Sequence, residues 1–175
     1  MKIHFTLIFI LITSVVFSQN TNELDKKHGF KTFKFGQNKS EFKSITKEKY
    51  PNLLEYTATK YEELFDIYWN NLNFAFCDEK LYAITIDFDN SSEFKYDTLL
   101  ENLEKIFGKS YSANFTQLKN GKWKRYNSWE DGKNVYMYIR FLDDNYERDK
   151  NCETCNIQLE IGNDSIEKEC LKNDF

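Results

Sequence analysis

The sequence predicts an α+β domain in which an antiparallel sheet is covered by two helices, and three observations lead there. Short stretches from Leu72 onward alternate apolar and polar residues and are separated by turn dipeptides such as Asn120-Gly121 and Asp131-Gly132. The segment Glu93 to Phe107 instead repeats its apolar residues at helical spacing. Asn38-Lys-Ser-Glu41 has the spacing of a capping box, in which the Asn side chain accepts backbone N–H bonds and the Glu reaches back. In order, the mature chain reads helix, three or four strands, helix, four strands, which fits two α-β-β-β units in tandem. An amphipathic helix is the natural cover for the apolar face of each meander.

Residues 1–18 read as a secretory signal peptide: a charge at Lys2, an apolar run from Phe5 to Phe17, and Val16 and Ser18 at the positions a signal peptidase requires. The run is interrupted by Thr and Ser and falls short of the roughly 20 apolar residues of a membrane span. No cysteine follows it, so release into the periplasm or medium is expected rather than lipid anchoring. Residues 19–32 are polar and aperiodic, which predicts a flexible leader. A single domain is expected over 33–162, with a polar tail over 163–175.

Within the domain, Phe33-Lys-Phe-Gly36 is a short alternating segment. The capping box opens a helix predicted over 39–48, with Phe42 and Ile45 on one face and Pro51 beyond its end. Leu53 to Ala58 and Glu63 to Trp69 read as strands, Asn70-Asn71 as a turn, and Leu72 to Cys77 as a strand. Asp78-Glu79-Lys80 turns the chain into Leu81 to Phe88, where Tyr82, Ile84, Ile86 and Phe88 form a wholly apolar face. The helix that follows is capped by Ser91 or Ser92 and ends at Gly108, with Phe94, Leu99, Leu100, Leu103, Ile106 and Phe107 along its stripe. Strands are predicted over 111–118, 122–129, 135–141 and 156–161.

The net charge of −4 is spread over mixed clusters. This excludes the basic face that nucleic acid requires. Lysine outnumbers arginine 21 to 3, a codon bias that points to an AT-rich bacterial genome rather than to a chemistry. The four cysteines, Cys77, Cys152, Cys155 and Cys170, permit disulfides in an exported chain, with three connectivities open. The close pair Cys152 and Cys155 is a candidate disulfide. A thioredoxin-like role for it lacks the strand-to-helix setting, and a zinc site lacks a second close pair.

The segment Phe35-Gly-Gln-Asn-Lys-Ser-Glu-Phe42 resembles the opening of small exported bacterial domains related to the SmpA/OmlA lipoproteins and the β-lactamase inhibitor protein. The helix end Leu103-Glu-Lys-Ile-Phe-Gly-Lys109, followed by a Trp-bearing hairpin, is similar to the second unit of such tandem proteins. The resemblance implies a protein that binds other proteins and is not an enzyme. The anchoring cysteine of the lipoproteins is missing here.

No nucleophile elbow, phosphate loop or His-Glu-x-x-His helix is present. Only His28 survives signal cleavage, so a histidine base has no support, and no cofactor or metal is expected. Asp87 and Asp89 read as a solvated sheet surface, and Asp143-Asp144-Asn145 lacks the spacing of a calcium loop. The excess is aromatic, with 16 Phe, 11 Tyr and 3 Trp. Most of these suit the core, while Trp123, Arg125 and Trp129 share one strand face and are the residue types that anchor interfaces. They are the candidate binding residues. The expected function is that of an exported protein-binding module of inhibitor, immunity or envelope-assembly type. The alternatives are a small-ligand or glycan-binding protein, which needs an aromatic-lined pocket, and a thiol-redox protein using Cys152 and Cys155.

Overall fold

A computed structural model of the chain describes residues 26–88, 91–110, 112–117, 123–130, 134–143 and 156–173. The signal segment, most of the leader, both Gly-containing hairpin turns of the second half, and Cys152 with Cys155 lie outside them.

The fold is α+β and mostly antiparallel sheet. A small hairpin, β1 (Gly29–Phe30) and β2 (Phe33–Lys34), leads into a 3₁₀ turn, Lys39–Glu41. Four strands follow: β3 (Lys47–Tyr50), β4 (Leu53–Leu64), β5 (Ile67–Cys77) and β6 (Lys80–Phe88). Helix α1 (Glu93–Phe107) precedes four more, β7 (Ser112–Gln117), β8 (Trp123–Glu130), β9 (Val135–Asp143) and β10 (Asn156–Asn163), and the chain closes with α2 (Asp164–Asn173). The eight long strands form one sheet in the order β3-β4-β5-β6-β10-β9-β8-β7. Each half is therefore a meander, and the two meanders join through their last strands.

One face of this sheet is the core. Leu72, Phe74 and Phe76 of β5, Ile84, Ile86 and Phe88 of β6, Ile157, Leu159 and Ile161 of β10, and Val135, Met137, Ile139 and Phe141 of β9 are all buried on it. Alternation alone would send Leu81 to the other face. A bulge between Ala75↔Ala83 and Phe76↔Leu81 inserts Tyr82 as an extra residue and returns Leu81 to the core. Tyr82, expected in the apolar set, is only half-buried.

Three elements cover the core face, and they differ from the expected pair of helices. Tyr96, Leu99 and Leu103 of α1 are buried, whereas Phe94 and Ile106, assigned to the same stripe, are 78% and 42% exposed. Ser92 caps the helix by accepting from Lys95 N at 3.2 Å, and Gly108 ends it at φ +82°. The first helix shrinks to the 3₁₀ turn. Its capping box forms in full, with Ser40 N donating to Asn38 Oδ1 and Asn38 N to Glu41 Oε1. Beyond it Phe42 alone is buried, and Ser44, Ile45 and Thr46 are poor helix formers, so the chain turns into β3. The third cover is the end of the leader. Phe30 meets Trp69 edge-on at 5.8 Å and Phe33 packs on Phe74 at 4.7 Å, so residues 29–34 belong to the domain.

Two further expectations change. The strand expected over 63–69 straddles a two-residue turn at Phe65-Asp66, and β4 and β5 form one long hairpin. Both turn residues have positive φ, as a primed hairpin turn requires, and Phe65 packs against the core. The polar tail is helix α2, capped where Ile166 N donates to Asn163 Oδ1 at 3.1 Å.

Close packing also governs the second meander. Gly162 sits opposite Tyr136, whose ring lies where a Cβ on residue 162 would stand. Gly162→Ala is expected to destabilise the protein by about 1–3 kcal/mol through overpacking. Chemical denaturation of Gly162→Ala alone and combined with Tyr136→Ala checks this; equal losses in both would show that the ring is not what forbids a side chain there.

Candidate functional site

The second face of the sheet carries a polar row drawn from five strands. At its centre is Asp87 on β6. Its Oδ2 accepts from Asn73 Nδ2 on β5 at 2.6 Å, and its Oδ1 accepts from Gln158 Nε2 on β10 at 2.5 Å. Each amide is engaged at its other end by a cation. Lys49 Nζ reaches Asn73 Oδ1 at 3.5 Å, and Arg140 Nε on β9 donates to Gln158 Oε1 at 2.5 Å. The order is cation, amide, carboxylate, amide, cation, and the contacts at both ends fix each amide's orientation. Strand register places these residues together: Asp87 faces Gln158, Gln158 faces Arg140, and Arg140 faces Tyr126 on β8.

Burial pushes the Asp87 carboxyl above its ordinary pKa, and the two amide bonds together with Lys49 and Arg140 oppose that rise. Asp87 is therefore a partly sequestered carboxylate held by hydrogen bonds, not the solvated surface residue that the alternation suggested. The signal available in the sequence was the coincidence of Asp87, Asn73 and Gln158 on non-core faces of three strands, which becomes visible only once the strand order is known.

Beside the row lies an aromatic group. Tyr126 and Tyr138 stand 5.4 Å apart, Tyr138 and Tyr136 stack at 6.2 Å, and the Arg140 guanidinium lies 5.7 Å from the Tyr138 ring. Glu160 gathers hydroxyls, accepting from Tyr136 at 3.2 Å and Thr85 at 3.1 Å. Burial, reinforced by Glu160, pushes the Tyr136 and Tyr138 hydroxyls above the usual tyrosine range. They act as donors and stay neutral.

Of the residues singled out from the sequence, Trp129 and Arg125 lie on the opposite, core face. Trp129 is buried at 2% exposure, and its indole N–H donates to Gly108 O at 2.8 Å. Arg125 pairs with Asp97 at 2.6 Å and lies 4.7 Å over the Tyr96 ring. Tyr96 donates to Asn127 Oδ1 at 2.7 Å, and Asn127 Nδ2 donates to Ser110 Oγ at 2.8 Å. Trp129 and Arg125 thus seat α1 on β8, and the expected exposed binding face is corrected to a helix-docking surface. The alternation was read correctly, but which face α1 occupies could not be. The backbone of Trp123 pairs with Asp143 and Gln117, and its side chain lies outside the described residues.

No known protein-family model, curated protein or solved structure matches the chain.

Among the cysteines, Cys77 on β5 and Cys170 on α2 form a disulfide, with Cα atoms 5.6 Å apart. The expected pair, Cys152 and Cys155, lies outside the described residues. Among the described residues no three His, Cys, Asp or Glu side chains converge as metal ligands, and no helix is long and apolar enough to cross a membrane.

Two measurements follow from this geometry. Trp129→Ala is expected to cost about 3–5 kcal/mol of folding stability, as truncation of a buried aromatic does. Retention of wild-type unfolding midpoints would return Trp129 to the surface. For Asp87, a folded-state pKa above the unfolded value favours folding while the group is protonated, and that contribution is lost as pH rises through the folded pKa. The stability of wild type relative to Asp87→Asn should therefore fall as pH rises above the ordinary Asp pKa of about 4. A pH-independent difference would mean that Asp87 titrates alike in both states.

Proposed function

We propose that the protein is an exported, non-enzymatic protein-binding module that meets its partner on the second face of the sheet, around Arg140, Tyr126 and Tyr138. One observation carries this reading. β1–β2, the 3₁₀ turn and α1 all pack on the core face, while α2 is the one described element that packs on the other. It leaves half-exposed a Tyr, Arg and Gln surface laid over rigid strands. Tyr and Arg are the types enriched at interface anchors, since they offer large contact area with a polar tip. The polar row preorganises them. Gln158 and the Tyr138 ring hold Arg140 in place, so little side-chain freedom remains to be lost on binding.

Export is supported by the signal-like segment and by the Cys77–Cys170 disulfide, a bond that persists in oxidising compartments. The tandem arrangement, a capped turn or helix before each four-stranded meander, fits the likeness to exported binding domains seen in residues 35–42 and 103–109. Inhibitor, immunity and envelope-assembly proteins all fall within this class.

Affinity capture of the tagged mature protein from envelope extracts tests the reading when three forms are compared. Wild type should retain a specific partner, Arg140→Ala with Tyr126→Ala should lose it at least tenfold, and Phe94→Ala on the exposed side of α1 should keep it. If the double variant, folded by circular dichroism, captures as wild type does, the partner does not use this face.

A further inference from the structure

We propose that α2 is a disulfide-held clasp: the Cys77–Cys170 bond pins it over one end of the second sheet face, and reduction of that bond by a dithiol releases the helix and uncovers Tyr82, Tyr136 and Glu160. The inference rests on the proposed function only for the use made of that face.

Three features point the same way. Among the described residues of α2 no side chain is fully buried, and none belongs to the core cluster. Its non-covalent anchors crowd into the first turn. Asp164 N donates to Asn134 O at 2.9 Å, Ser165 Oγ donates to Asn134 Oδ1 at 3.0 Å, and Asn163 caps Ile166 N. Chain continuity with β10 already holds that end, whereas the far end is fixed by Cys170.

Between the two ends the interface opposes itself. Glu167 of α2 shares the Tyr136 hydroxyl with Glu160 of β10, and Asp164 lies on the same helix. The groups that bear on Glu167 are Tyr136 from β9, Glu160 from β10, Tyr82 from β6, and Asp164 and Lys168 from α2 itself. Burial, with Glu160 and Asp164, holds the Glu167 carboxyl above its ordinary range, against the Tyr136 hydrogen bond and Lys168. Docking is therefore favoured while Glu167 is protonated and weakens as pH rises through its raised pKa. Once undocked, a helix of 10 residues is too short to persist in water and unwinds.

The exchange is balanced. Cys77 is buried at 2% exposure while Cys170 is half-exposed, so the reductant's thiolate attacks Cys170 Sγ and the S–S bond breaks. Cys77 leaves as a thiolate and takes up a proton. The reductant's second thiol then attacks the mixed disulfide, expels Cys170 as a thiolate that is protonated in turn, and leaves the reductant as a disulfide two electrons poorer.

Hydrogen exchange on the full mature chain tests this without any partner. Reduction and alkylation, or Cys170→Ser, should lower the protection of α2 amides at least tenfold while β9 and β10 keep theirs. A variant with both Cys152→Ser and Cys155→Ser should respond to reduction as wild type does. In the Cys170→Ser background, Glu167→Gln should restore part of the lost protection at pH 7. Unchanged α2 protection after the bond is broken overturns the proposal. So does a loss that spreads through β6 and β10, because the bond would then staple the whole domain; absence of rescue by Glu167→Gln overturns the electrostatic part. Capture of a partner plays no role in this readout, so failure of either reading leaves the other standing.

Discussion

The architecture depends on one ladder, the antiparallel seam between β6 and β10. It unites two meanders that otherwise share no strand pairing. On the core side the seam pairs Ile84 with Ile161, Ile86 with Leu159 and Phe88 with Ile157, all buried. At one end Ser91 ties the halves together, its hydroxyl donating to Phe88 O at 3.0 Å and accepting from Ile157 N at 2.9 Å. On the other side the same strands bring Asp87 against Gln158, so the centre of the polar row exists only because the seam is closed.

The two faces then carry different duties. Aliphatic and aromatic burial against α1 and the N-terminal hairpin supplies the stability, at roughly 25 cal/mol for each Å² of apolar surface removed from water. The second face is held by hydrogen bonds and charges. Those stabilise weakly where they are exposed but set side-chain positions well where they are partly buried. Arg125 and Arg140 show the contrast. Arg125 is paired with Asp97 and laid on Tyr96 to fasten a helix, while Arg140 is held by Gln158 and Tyr138 on a face with few covering elements.

Much of the fold is legible in the sequence wherever local chemistry dictates it. The capping box at Asn38, the helix from Glu93 to Gly108 and the four strands of the second half follow from residues close in sequence, and the structure has them within a few residues. The departures have a common cause in contacts distant along the chain. Phe65-Asp66 makes a positive-φ turn without Asn or Gly because Phe65 is held by the core. The leader is ordered at Phe30 because Trp69 receives it. For Trp129 and Arg125 the shared face was readable, but the partner of that face was not, since nothing local tells a strand whether a helix or a solvent layer lies above it. The polar row is harder still, because its centre joins Asp87 on β6 to Gln158 on β10, strands far apart in sequence.

The seam also sets the order in which the chain can assemble. Hairpins such as β4–β5 close over two residues, but Asp87 and Gln158 are 71 residues apart, and closing so long a loop carries a larger entropic cost. Loop closure thus favours forming the two meanders before the ladder between them. Until it closes, β6 and β10 are both open edges with one wholly apolar face, and β6 of one chain is as good a partner for β10 of another as for its own. Exchange of halves between copies is accordingly the misassembly that such a seam permits, and dilution during refolding is the condition that disfavours it.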